Sequence, residues 1–349
     1  MEADPGDADA LYYWSDVAKD MGLLQESETK LSLCLKIAKA HSGCIFDLME
    51  VRIREGRFDD VKLLREEASK NGVMSPWLEE PSGYAELAIG NTEPAIAHFG
   101  NLAVSGQELG SSVLFRASQD GITEIALYRG QVDSARRQLL AALGTSRSSY
   151  EQAHYFLYLA EVDSLTGHSM AASEEVNRAV RLSDASDLAM IASQVSAYIG
   201  DFPRARDLLV KHEGSAGILG RTYPAVSQFV SGAEAHRRAR IDESIAAISD
   251  AYRYSPQPEF AYYLAQIQMS AAKWKDAKDT LQRLLDSRGS FIMGDSPALL
   301  VPFSERDLSI CEKHLGELTE AAEHLLIVKH MWTQADPPLL HSLEQATFN

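Results

Sequence analysis

The sequence predicts an all-α fold, a right-handed superhelical solenoid of about nine helical hairpins closed by a C-terminal capping helix. Three observations carry this prediction. A turn built on a small residue, usually Gly, recurs along the chain. The segments between these turns, such as YEQAHYFLYLAEVDSL and ESIAAISDAYRYS, place apolar residues three and four apart, the spacing of an amphipathic helix. No stretch of strand length alternates Val, Ile or Thr with polar residues between turn dipeptides.

The turns read REGRFDDV at Gly56, AIGNTEPA at Gly90, YRGQVDSA at Gly130, LTGHSMAA at Gly167, YIGDFPRA at Gly200 and HLGELTEA at Gly316. Degenerate copies place Arg240 and Ala272 in the Gly position, and a weak one falls at Gly22. Successive intervals are 34, 34, 40, 37, 33, 40, 32 and 44 residues. Gly ends a first helix because it enters the left-handed region at little cost. The small or aliphatic residue five positions later lets the second helix approach closely.

With these residues in view, the hairpins resemble tetratricopeptide (TPR) repeats over nearly the whole chain. The family's first-helix aromatic and the Pro ending its second helix are often missing, so SEL1-like and other helical-hairpin repeats are the alternative. From Pro258 onward the resemblance narrows. PEFAYYLAQIQMSAAKWKDAKDTLQRLLDSRG, DSPA, LGELTEAAEHL and MWTQADPPLLHSLEQA follow in order. That succession is similar to the C-terminal TPR region of bacterial eukaryotic-like Ser/Thr protein kinases, with Arg288-Gly289, Trp332 and Ala335-Asp336-Pro337 as the matching residues. The resemblance implies a sensory or scaffolding region of a signalling enzyme. The chain departs from that family in containing no Gly-rich loop, HRD or DFG.

Helix pairs are expected near 8–40, 43–71, 76–104, 112–144, 149–183, 186–212, 222–254, 257–286 and 297–332, with a closing helix at 338–346. The organisation expected is one continuous solenoid over 1–349, with a bend at the Gly-rich 213–224, a long loop at 287–304 and a C-terminal cap over 336–349. Asp7 or Asp9 is expected to cap the first helix.

The chain has 349 residues with 33 Lys+Arg against 50 Asp+Glu, a formal charge of −17. This balance suits a soluble protein with a large core. It argues against a nucleic-acid or membrane binder, because the surface repels phosphate. Arg237, Arg238 and Arg240 read as a solvated helix face. No apolar run is long enough for a membrane span, and the acidic start MEADPGDADA is no secretory signal. The location expected is cytoplasmic, or extracytoplasmic if the chain is cut from a membrane-anchored kinase. Cys34, Cys44 and Cys311 are too few for a disulfide framework, one being left over, and read as buried, inert thiols.

Searches for chemistry are negative, so no catalytic residue, metal site or cofactor is expected and the chain reads as a non-enzyme. No HExxH or CxxC occurs, and Cys34 and Cys44 are too far apart in sequence for a CxxC clip. Glu320 and His324 share a helix face as a surface pair. GSFIMGDS has phosphate-loop glycine spacing, but Asp295 stands where the lysine belongs.

In a TPR stack the first helices line a concave groove. Counting back six residues from each turn gives Glu50, Tyr84, Glu124, Glu161, Gln194, Glu234, Gln266 and Ile310. Counting back ten gives Phe46, Glu80, Asp120, Leu157, Met190, Val230, Tyr262 and Arg306. Together they predict a groove of carboxylates and amides edged by Tyr84, Tyr128, Tyr198 and Tyr262, suited to a partner protein or peptide of basic or polar character. The alternative is a merely solvated helical face. A self-assembly scaffold that stacks through its end repeats as a homo-oligomer is another reading, in which a Trp332→Asp change is expected to dissolve the dimer.

Overall fold

The computed structural model describes residues 7–293 and 296–348. Among the described residues every regular element is a helix. The pairs are α1 (Ala8–Asp20) with α2 (Leu24–Ile37), α3 (Ser42–Arg54) with α4 (Phe58–Lys70), and α5 (Glu79–Ala88) with α6 (Thr92–Leu109). There follow α7 (Ser112–Tyr128) and α8 (Val132–Thr145), then α9 (Ser149–Leu165) with α10 (Ser169–Leu182), and α11 (Ser186–Tyr198) with α12 (Phe202–Lys211). A short α13 (Ala216–Leu219) precedes α14 (Thr222–Arg237) and α15 (Ile241–Tyr254), then α16 (Pro258–Ser270) and α17 (Trp274–Asp286). The short α18 (Arg288–Ile292) leads to α19 (Leu300–Leu315) with α20 (Leu318–Met331), and α21 (Pro337–Phe348) closes the chain. Asp7 caps α1, its carboxylate accepting the Asp9 and Ala10 amides.

The turn chemistry operates as the residue types demand. Gly22, Gly56, Gly90, Gly130, Gly167, Gly200 and Gly316 all have positive φ. The next residue's amide returns to the carbonyl five positions before it, as from Arg57 to Arg52 and from His168 to Asp163, the bond of a Schellman motif. One register differs from expectation. The residue with positive φ in the α14–α15 turn is Ala239, not Arg240, while Ala272 holds the Gly position as expected. Arg240 instead donates its amide to Ala235. The residues five beyond the turns, Val61, Ala95, Ala135, Ala172, Ala205, Ser244 and Ala277, are all buried. Ser244 Oγ also donates to the Gly232 carbonyl at 2.7 Å.

The chain divides into two compact units, Met1–Ile125 with Asp286–Gly294, and Ala126–Leu285 with Asp295–Asn349. In the first unit, α1, α3 and α5 lie side by side. The Phe99 ring fills the space left by two missing side chains, since a Cβ on Gly83 or Gly121 would overlap it. The stretch expected as a plain long loop supplies α18, which packs on α3 and α5. Gly289 permits this approach, because a Cβ there would overlap the Ile53 carbonyl. Ser290 Oγ donates to the Arg54 carbonyl at 3.1 Å, and Phe291 and Ile292 are buried.

The cysteine expectation needs correction. Cys34 and Cys44 are buried as expected, but they are joined in a disulfide with Cα atoms 6.5 Å apart. The reason is geometric: a short connection turns the chain back between α2 and α3, so the two cysteines meet across it. Cys311 is the buried free thiol, and burial pushes it up to about 12.

In the second unit, α9, α11 and α14 lie side by side over a core that includes Leu157, Met190, Val195, Phe229 and Phe260. The C-terminal stretch returns to the start of this unit. Trp332 is buried edge-on to Phe303, and the Asp336 amide donates to the Gly130 carbonyl at 3.0 Å. Trp332 is therefore a core residue.

Candidate functional site

The positions six before each turn are mostly packed. In the first unit Tyr84 and Glu124 are buried, Tyr84 edge-on to Phe99, and Glu50 is held in an ion pair. In the second, Glu161 and Gln194 are buried and Gln266 and Ile310 half-buried. Tyr262 is 1% exposed and donates to Asp307 Oδ2 at 2.9 Å. Glu234 is more open because the α14 turn falls at Ala239, which gives the equivalent position to the buried Ala233. Both Glu234 oxygens accept from Arg206 at 2.8 Å and one accepts from Arg238. The Arg206 hydrogen bond holds its carboxyl below the usual range. Of the positions ten before the turns, Leu157, Met190 and Val230 are core residues, while Phe46, Glu80, Asp120 and Arg306 are half-buried. Of the other edge tyrosines, Tyr128 is buried and Tyr198 half-buried.

The groups that converge most clearly lie on the first helices of the first unit. Lys19 on α1 reaches Asp16 Oδ1 at 3.2 Å, Asp47 Oδ1 at 3.1 Å and Glu50 Oε2 at 2.5 Å on α3. Burial opposes the Lys19 charge, but Glu50 and Asp47 outweigh it and hold the ammonium above the ordinary lysine range. Burial raises Asp47 to about 6 against the pull of Lys19. Glu80 on α5 is pushed up to about 7, first by burial and then by the carboxylates of Glu50 and Asp120. Four successive first helices thus contribute to one acidic neighbourhood. Sequence reasoning found Glu50, Glu80 and Asp120 there and missed Asp16, Lys19 and Asp47. The signal available was Asp47 three residues before Glu50, one helical turn away on the same face.

The second unit has a different opening, a cleft of about 350 Å³ lined by Tyr198, Phe202, His236, Arg237 and Tyr263 among others. The Tyr198 and Tyr263 rings are tilted with centroids 5.2 Å apart, and His236 meets Tyr263 edge-on. Burial lowers His236. Two further expectations can be placed. His324 pairs with Glu305 at 2.6 Å and Glu312 at 3.6 Å on α19, in addition to sharing its own helix with Glu320. In GSFIMGDS, Gly294 and Asp295 lie outside the described residues.

Cys34 Sγ, Cys44 Sγ and a ring nitrogen of His41 all lie within 4.8 Å of one another. The sequence signal was His41-x-x-Cys44, a pair one helical turn apart.

No family model matches the chain, and no curated protein matches it. Among solved structures, a human IFIT1 dimer with m7Gppp-AAAA is similar over 99% of this chain and 81% of its own, at 16% identity and a TM-score of 0.45. The TPR domain of P58(IPK) is similar over 98% and 97%, at 13% identity and a TM-score of 0.30. A tetratricopeptide repeat protein from Parabacteroides merdae is similar over 98% and 99%, at 12% identity and a TM-score of 0.30. The chain's own turns and helix pairs establish the fold, an all-helical array of TPR-like hairpins.

Proposed function

We propose that the chain is a non-enzymatic protein-interaction module whose first-unit helices receive a lysine- or arginine-bearing segment of a partner protein. The observation that carries this reading is Glu80, raised to about 7 by burial beside Glu50 and Asp120. A carboxyl held partly protonated at neutral pH marks a place where added positive charge is favoured. An arriving cation draws the proton off Glu80, so binding releases a proton and tightens as pH rises from 6 to 8. The side-by-side first helices support a preformed surface, which keeps the ordering cost of binding low. The C-terminal resemblance supports a role for the module in a bacterial Ser/Thr-kinase-linked signalling system.

The test is calorimetric titration of the full chain with an arginine-rich peptide at pH 6 and pH 8. Wild type should bind more tightly at pH 8 and lose affinity with added salt. A Glu80→Lys/Asp120→Lys variant should bind at least tenfold more weakly. Equal affinity in that variant, with its melting curve intact, rejects the site.

A further inference from the structure

We infer that Cys34, His41 and Cys44 form a redox-gated site for one soft divalent cation of the zinc type, closed as the disulfide and open as the dithiol. Cys34 lies in the last turn of α2 and Cys44 in the first turn of α3, with His41 as the α3 N-cap. Their ligand atoms already sit within 4.8 Å of one another. Tetrahedral zinc with Zn–S near 2.3 Å needs sulfurs about 3.8 Å apart. Rotation of the two freed side chains provides this with the Cα atoms left at 6.5 Å.

His41 is already oriented for the role. One ring nitrogen, Nε2, lies 2.9 Å from Asp9 Oδ1, and the other, Nδ1, accepts the Cys44 amide at 3.1 Å. A carboxylate on Nε2 holds the proton there and leaves the Nδ1 lone pair on the sulfur side, as in carboxylate–histidine–metal arrangements. The metal would take over the lone pair that now caps the helix. Position in the first turn of α3 favours the Cys44 thiolate. Both cysteines are buried with Leu11, Leu31, Leu48 and Val51, where thiolates need a cation to neutralise them. The Tyr12 ring, 5.5 Å from His41, covers the side chain from α1. Three protein donors leave the fourth tetrahedral position to water or to a donor from a partner.

The gating step is balanced. An external dithiol or phosphine gives two electrons to the S–S bond and is itself oxidised, while each sulfur takes up one proton. The cation then binds both sulfurs and expels those two protons. A two-electron oxidant such as a small-molecule disulfide reverses the sequence: it accepts the two electrons and is reduced to its thiols, the S–S bond re-forms and the metal is released.

The experiment uses the full chain reduced with a phosphine and titrated with Co²⁺, then with Zn²⁺ in competition. Reduced wild type should bind one equivalent with a sulfur-to-cobalt charge-transfer band in the near ultraviolet, and the oxidised chain should show none. His41→Ala should weaken binding tenfold or more, and Asp9→Asn should weaken it severalfold through the ring orientation. Cys34→Ser should weaken binding and cut the charge-transfer band to about half per bound cobalt, since Cys44 alone is left to donate sulfur. Failure of reduced wild type to bind stoichiometrically overturns the site, as does unchanged affinity in His41→Ala. Should Cys34→Ser not fold, the exposed Asp9→Asn change and His41→Ala decide.

Discussion

Asp336 caps the helix that begins beside Asp133, although the two are 203 residues apart. Its Oδ2 accepts the Asp133 amide at 2.8 Å. Its own amide donates to the Gly130 carbonyl at 3.0 Å. Gln131, the residue preceding α8, makes no side-chain cap, so Asp336 satisfies an amide that would otherwise lack a partner in the helix. A carboxylate at a helix N-terminus also meets the positive end of the helix dipole.

Replacing Asp336 by Ala should therefore cost about 1 kcal/mol. In a unit of this size that lowers the melting temperature by about 2–4 °C. Asp336→Asn keeps an acceptor oxygen and should lose less. Differential scanning calorimetry of the three proteins checks the order, and equal melting of wild type and Asp336→Ala refutes the cap.

Ala239 and Ala272 hold left-handed backbone, with φ of 57° and 55°, at turns where the other hairpins use Gly. An L-residue in that region costs roughly 1–2 kcal/mol through contact of Cβ with the following carbonyl. Glycine gives part of this back through its greater freedom in the unfolded chain. Ala239→Gly and Ala272→Gly are each expected to stabilise by about 0.5–1 kcal/mol, measured by urea denaturation. Destabilisation by either change would mean that the methyl group packs usefully.

The helices were legible because each turn depends on a local rule. Left-handed φ, the returning amide and the small residue five positions later all act within one hairpin. Ala239 escaped because an L-residue can hold a glycine conformation at modest cost, and Arg240 shifted the count by one. The candidate groove was legible only in part. Gln194 and Glu161 looked too polar to pack, yet both are buried where first helices crowd together. Glu50, Glu80 and Asp120 were found because they occupy the first-helix positions expected of inward residues. What local pattern does not encode is long-range closure. Gly289 against Ile53 and Asp336 against Gly130 are such contacts, and the Cys34–Cys44 bond depends on how tightly α2 turns into α3.

The second unit carries a buried charge imbalance that should make its stability fall from mildly acid pH up to about pH 8. Arg136 on α8 pairs with Asp163 on α9 and stands 3.5 Å from Glu175 Oε1 on α10. Asp163 is fully buried and Glu175 nearly so. His168 Nδ1, 3.8 Å from Asp163, and Arg178 also face the cluster. Glu175 is raised from the usual 4.5 to about 8, first by burial and then by Asp163, with Arg136 and Arg178 opposing. The folded chain thus keeps the Glu175 carboxyl neutral where the unfolded chain ionises it. This contribution is fully present below about pH 4.5 and is lost as pH rises through 8. The slope is at most about 1.4 kcal/mol per pH unit. Wild type should therefore melt lower at pH 9 than at pH 6. Glu175→Gln, neutral at every pH and still able to donate to Asp163, should flatten that dependence and melt higher than wild type at pH 9. Calorimetry at pH 6, 7.5 and 9 distinguishes the two curves, and an unchanged slope in Glu175→Gln would assign the loss to another group.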